Sequence, residues 1–125
     1  MCNKVIEFRA WEKTLKEMIP VHDISFEREI INTDSAWRTF DEVDLEWFTN
    51  LLDKNKKRIF EGDIVRAINT GNIGEIKYVS EHGAFVVRSK DKTGQYYEYL
   101  DLGLCLNFFE VIGNIHENPE LLEAK

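Results

Sequence analysis

At 125 residues, with 43% hydrophobic and 12% aromatic residues, the chain carries enough apolar material for one core and too much for a disordered protein. Its formal charge of −7 opposes wholesale attraction to phosphate backbones. No apolar run approaches the roughly 18 residues of a membrane span, and Met1-Cys2-Asn3-Lys4 leads into no signal-peptide core, so the expected compartment is the cytoplasm.

The first element is a strand over 5–11, because alternation sets Ile6, Phe8 and Ala10 on one face and Glu7 and Arg9 on the other. A polar connection over 12–16 returns the chain through Met18-Ile19-Pro20-Val21. Pro20 has no N–H to give a ladder, which places this return strand at a sheet edge. A helix over 11–18 competes with that reading. Ile24-Ser25-Phe26 and Ile30-Ile31 read as short β pieces separated by the polar Glu27-Arg28-Glu29. Residues 32–44 are the least regular, and Asp34-Ser35-Ala36-Trp37 fits either a capped brief helix or a loop.

From residue 45 the β signal strengthens. A strand over 45–52, a turn over 53–57 and a return through Arg58-Ile59-Phe60 make a hairpin, with Asn55 the residue best suited to a left-handed conformation. Glu61-Gly62-Asp63 joins this return to Ile64-Val65-Arg66-Ala67-Ile68 through a glycine corner, where the backbone needs dihedrals that a Cβ resists. Further strands are expected over 74–79, 84–88, 95–100 and 109–115, separated by turns containing Gly71, Gly83 and Gly94. Turn signals about ten residues apart mark an all-β barrel or sandwich. Asn118 as N-cap with Pro119 at the first helical position predicts a short helix over 119–124.

Charge is unevenly distributed. Residues 54–92 hold nine Lys or Arg against five acids, a balance of +4 that leaves −11 for the rest. Lys77, Arg88, Lys90 and Lys92, on neighbouring strands and a hairpin, are the candidate nucleic-acid contacts, although lysines at strand edges also serve solubility. Asp41, Glu42, Asp44 and Glu46 lack calcium-loop spacing and its turn glycine, and they read as a solvated face.

Enzyme signatures are missing from the sequence. There is no Gly-x-Ser-x-Gly elbow, Walker loop, dinucleotide fingerprint or His-Glu-x-x-His helix. His22, His82 and His116 fall at a strand end, in a turn and after the last strand. Glu61 and Asp63 read as turn chemistry. Cys2 and Cys105 support neither a disulfide framework nor a thiolate cage. No catalytic residue, metal or cofactor is therefore expected. The rings of Trp11, Trp37, Trp47, Phe48, Tyr96, Tyr97, Tyr99, Phe108 and Phe109 exceed what one inward face accommodates, since adjacent rings on a strand point to opposite sides. The surplus belongs to a second packed layer, to self-association or to a binding groove.

Four ordered segments resemble the YopX family, small proteins encoded largely by bacteriophages and prophages. They are Phe8-Arg9-Ala10-Trp11 with Lys16 and Met18; Leu52-Asp53-Lys54-Asn55 leading to Ile59-Phe60-Glu61-Gly62-Asp63-Ile64-Val65; Gly74-Glu75-Ile76-Lys77-Tyr78 with Gly83 and Phe85; and Glu110-Val111-Ile112-Gly113-Asn114-Ile115-His116-Glu117-Asn118-Pro119-Glu120-Leu121-Leu122. Departures are Asn50 in place of a glycine, Lys56 in place of the glycine of an Asn-Gly pair, and His116 in place of a tyrosine. Losing the Asn-Gly glycine predicts a longer hairpin loop over 53–57. The resemblance implies a mainly β fold: an N-terminal hairpin or small sheet over 1–44 packed with an SH3-like β-barrel over 45–125, in one domain. It also marks Glu61, Gly62, Asp63, Gly113, Asn114, Asn118 and Pro119 as a structural motif. It implies no activity. The resulting expectation is a non-catalytic accessory protein of a bacterial host's cytoplasm that binds another protein or itself, with nucleic-acid binding through the basic segment as the alternative.

Overall fold

The computed structural model describes residues 5–34, 36–90, 93–99 and 109–123. It is mainly β, with twelve strands and two short 3₁₀ turns among the described residues. The chain divides into two compact units, Met1–Phe48 and Thr49–Lys125.

In the first unit β1 (Phe8–Glu12) pairs antiparallel with β2 (Glu17–Pro20), which lies at the sheet edge as Pro20 requires. The other side of β1 pairs with β6 (Val43–Leu52). Between them, β3 (Asp23–Ser25), β4 (Ile30–Asn32) and β5 (Trp37–Thr39) form a three-stranded antiparallel sheet. Ala10, Ile31 and Val43 are buried as one cluster, with Ile19, Val21, Ile24, Phe40 and Leu45 packed on it.

Two expectations are corrected in this unit. The first strand starts at Phe8, and Ile6, expected inward, is 79% exposed. Its alternation continues instead to Glu12, which shares the Ala10 face and is buried. There its carboxylate accepts the Thr14 amide at 2.7 Å, and Arg38 lies 3.6 Å away. A buried carboxylate is tolerated because a turn amide and a guanidinium replace its water. The irregular stretch also resolves differently: β5 occupies Trp37–Thr39, and the brief helical turn is Phe40–Glu42, capped by Thr39. The Thr39 amide donates to Glu42 Oε1 at 2.8 Å, which holds that carboxyl below its usual range although some loss of hydration opposes the shift.

In the second unit the end of β6 turns back into β7 (Arg58–Phe60), with Thr49 Oγ1 donating to the Ile59 carbonyl at 2.8 Å. The loop is the longer type expected, but Lys56, not Asn55, takes the left-handed conformation, at φ 64°. The Lys56 amide bonds the Asp53 carbonyl at 3.0 Å and the Asp53 amide bonds that of Lys57 at 2.8 Å. The four-residue turn over 53–56 thus closes at its last residue, and Lys56 takes the left-handed conformation before the chain returns through Lys57.

Strands β8 (Asp63–Ala67), β9 (Ile73–Val79), β10 (Ala84–Lys90) and β11 (Tyr96–Tyr99) form an antiparallel meander, and β12 (Phe109–Asn114) returns beside β8. The resulting five-stranded sheet is curled into an SH3-like half barrel. A register shift between Val111 and Gly113 marks a bulge in β12, a device that bends a strand. Inside the curl, Ile59, Val65, Ile76 and Val87 are buried, with Leu51, Phe85, Phe109 and Val111 against them.

The expected C-terminal helix is only a 3₁₀ turn, Pro119–Leu122. Asn118 does not cap it with its side chain; Asn118 Oδ1 instead accepts the Asn114 amide at 3.2 Å. With no side-chain cap, only one short turn forms before Glu123 becomes extended. That turn packs against β9.

Candidate functional site

Antiparallel register sorts the side chains of the meander. Arg88 lies opposite Glu75 and Lys77 opposite Val86, so Glu75, Lys77, Arg88 and Lys90 share one face while Ile76 and Val87 share the core face. Lys90 lies opposite Tyr96 on β11. Lys77, Arg88 and Lys90, three of the four candidate nucleic-acid contacts, therefore point outward from the curl.

That face carries an open groove of about 710 Å³, within the roughly 300–1,000 Å³ typical of ligand sites. Its floor is Ile73, Glu75, Arg88 and Lys90, with Tyr96 beside them. Gly71 and Asn72, from the β8–β9 turn, form part of the wall. The C-terminal 3₁₀ turn supplies Glu120, Leu121 and Leu122, and Glu123 follows. Pro119 is the first residue of that turn and does not itself line the groove.

The guanidinium carbon of Arg88 lies 4.0 Å from the centre of the Tyr96 ring, and Lys90 Nζ lies 5.9 Å from the same ring. Tyr96 is nonetheless 52% exposed. The ring fixes the plane of Arg88 by a cation–π contact. Among the described residues, Arg88 Nε is a buried side-chain nitrogen with no hydrogen-bond partner. An unmet buried donor costs on the order of 1–3 kcal/mol, so the fold leaves Arg88 short of an acceptor.

Of the four basic residues singled out from the sequence, Arg88 and Lys90 come together in this groove. Lys77 is exposed on the same face but does not line it, and Lys92 lies outside the described residues. Elsewhere in the basic segment, Arg66 bonds Glu110 at 2.6 Å and Lys54 lies 3.6 Å from it, which holds the Glu110 carboxyl low. Two of the segment's cations are thereby paired internally.

The acidic cluster does not converge. Glu42 caps the turn at Thr39, Asp44 faces Lys13 at 3.7 Å, and Glu46 is buried against Arg9 Nε at 2.9 Å. Glu46 is therefore no part of a solvated face. His22 pairs with Asp34, whereas its sequence neighbour Asp23 accepts from Asn32 Nδ2 at 2.5 Å. His82 sits in the β9–β10 turn, and the His116 amide donates to Asn114 Oδ1 at 3.0 Å. Among the described residues no three His, Cys, Asp or Glu side chains gather as a metal cage. Cys2, Cys105 and Phe108 lie outside the described residues.

The structural motif is assembled from both of its halves. Gly62, at φ 88°, donates to the Ile76 carbonyl at 2.8 Å and accepts the Ile115 amide at 2.9 Å. Asp63 is buried, and its Oδ2 accepts the Phe60 amide at 2.8 Å across the Glu61 corner. Asp63 also lies opposite Asn114, whose Oδ1 accepts the Glu117 amide at 2.9 Å. These residues join the corner to the turn that carries the groove wall.

Sequence reasoning missed Glu75, Glu120, Leu121, Leu122 and Glu123 as groove residues. The spacing Arg88-Ser89-Lys90, two cations on one face of a strand, was the available signal. The C-terminal wall had none, because its position depends on the bulged β12. Of the surplus aromatics, Trp37, Trp47 and Tyr96 are more than half exposed.

The family model described as YopX protein matches residues 7–123. The crystal structure of protein EF1440 from Enterococcus faecalis is similar at 29% identity with a TM-score of 0.68, covering 97% of this chain and 100% of that one. The crystal structure of protein yopX from Bacillus subtilis is similar in fold, at 20% identity and a TM-score of 0.53, covering 93% of this chain and 97% of that one. No curated protein matches the chain.

Proposed function

The chain belongs to the YopX family, and on that premise we propose that it is a non-catalytic binding module that engages another protein through the outer groove of its curled sheet. Family membership brings no activity with it, so the reading rests on the site. The observation that carries it is Arg88, held against an exposed tyrosine with a buried donor unmet, in a groove of ligand size. Among the described residues no helix is long and apolar enough to cross a membrane, and a bacterial cytoplasm is the compartment we assign.

A nucleic-acid role is the weaker alternative. Glu75, Glu120 and Glu123 outnumber Arg88 and Lys90 in the groove, an arrangement that repels a run of phosphates. Comparing the full chain with Arg88→Gln as baits in a bacterial lysate tests the proposal. A partner retained by the wild type and lost from the variant supports it. Recovery of nothing but the bait, or of identical proteins by both, overturns it. Polarisation of a labelled single-stranded oligonucleotide at low salt should show no binding. Binding that falls steeply with added salt would establish the alternative instead.

A further inference from the structure

We propose that the groove recognises a peptide carboxylate flanked by an apolar side chain, with Arg88 and Lys90 holding the carboxylate and Leu121 and Leu122 the neighbour. This specifies the ligand for the binding reading above and rests on it.

Four observations converge. The ring of Tyr96 occupies one face of the Arg88 guanidinium, 4.0 Å from its carbon, which leaves the in-plane edges of that group for hydrogen bonding. Nε has no acceptor but is closed off from solvent, so the terminal nitrogens are the donors left to a ligand. Two terminal N–H groups make the end-on fork that the two oxygens of a carboxylate fill together. Lys90 adds a second positive charge beside the same ring. No ion pair involves either cation among the described residues, although Glu75 on β9 and Glu98 on β11 both occupy register positions opposite Arg88.

The remaining lining restricts the kind of anion. With Glu75, Glu120 and Glu123 included, the groove carries net charge −1 from two cations and three acids. A polyanion laid along it meets those carboxylates repeatedly, whereas one carboxylate seated on Arg88 faces Glu75 across the strand pair without that repetition. Ile73, Leu121 and Leu122 supply apolar surface next to the fork, so an apolar side chain adjacent to the acid removes area from water on docking.

Panning a random heptapeptide display library on the full chain at physiological salt, followed by titration of the recovered peptides, is the test. Recovered sequences should share an Asp, Glu or free C-terminal carboxylate beside an apolar residue. Arg88→Gln and Lys90→Gln should each weaken them by at least about tenfold. Lys77→Gln, on the same face outside the groove, should bind as the wild type does. The ¹⁵N-resolved terminal guanidinium N–H signals of Arg88 should move downfield on titration. Peptides without an acid, or peptides indifferent to both Arg88→Gln and Lys90→Gln, would refute the carboxylate fork while leaving protein binding intact. Recovery of no peptide at all would count against both readings. An oligothymidylate that displaces the peptides and binds more tightly would assign the groove to nucleic acid.

Discussion

The Asp53 carboxylate accepts the backbone amide of Val111 at 2.9 Å, across 58 residues of chain. Its other oxygen accepts the amides of Asn55 at 2.8 Å and Lys57 at 2.9 Å, and the next residue, Lys54, donates its amide to the Phe109 carbonyl at 3.0 Å. One buried side chain therefore shapes the β6–β7 hairpin and fastens it to β12, the strand that closes the half barrel. Replacing it with asparagine keeps the volume but turns one acceptor into a donor facing an N–H. Asp53→Asn should lower stability by about 1–3 kcal/mol, read as a lower urea midpoint with an unchanged slope.

The same contact makes stability depend on pH. Burial by itself would raise the Asp53 carboxyl, but the amides of Val111, Lys57 and Asn55 together outweigh it and hold the group below its ordinary value of 3.8. A carboxyl lowered by folding stabilises the native state at pH values above its unfolded pKa, and the contribution is lost as pH falls through the folded one. Urea midpoints should therefore be level for this group above about pH 5 and drop below about pH 4. The drop should be smaller in Asp53→Asn than in the wild type, and equal drops in the two proteins would contradict the assignment.

Lys56 holds φ 64° in a hairpin whose geometry favours glycine at that position. A left-handed conformation costs a non-glycine residue roughly 1–2 kcal/mol, while glycine loses roughly 0.5–1 kcal/mol more chain entropy on folding. Lys56→Gly should therefore raise stability by about 0.5–1 kcal/mol, measurable as a rise in melting temperature. No gain would mean that the lysine's own contacts offset the strain.

Gly113 lies where Asn118 folds back. A Cβ there would stand 2.5 Å from Asn118 Oδ1 and 2.8 Å from its Cγ, so the side chain that accepts the Asn114 amide would have to leave. Gly113→Ala should cost about 1–3 kcal/mol. Adding Asn118→Ala should cost less on the Gly113→Ala background than on the wild type, since the displaced contact is already lost. A double-mutant cycle in thermal unfolding gives that coupling.

Much of this fold was legible locally. The period-2 alternation of Phe8 to Trp11, the proline that confines β2 to an edge, and the glycines between β8, β9 and β10 determined strands and turns, because side-chain alternation and backbone sterics act within a few residues. The Glu61-Gly62-Asp63 corner was readable for the same reason. The sequence also revealed two cations on one face of β10. It did not reveal Glu12, Glu46 and Asp53 as buried acids, since whether a carboxylate can be buried depends on Arg38, Arg9 and Val111, brought to it by pairing with distant strands. Tertiary structure alone decided that Arg88 and Lys90 meet Tyr96 and a C-terminal wall while Lys77 stands outside. Register across three strands and the bulge in β12 place those groups, and both are set by long-range packing that no local pattern encodes.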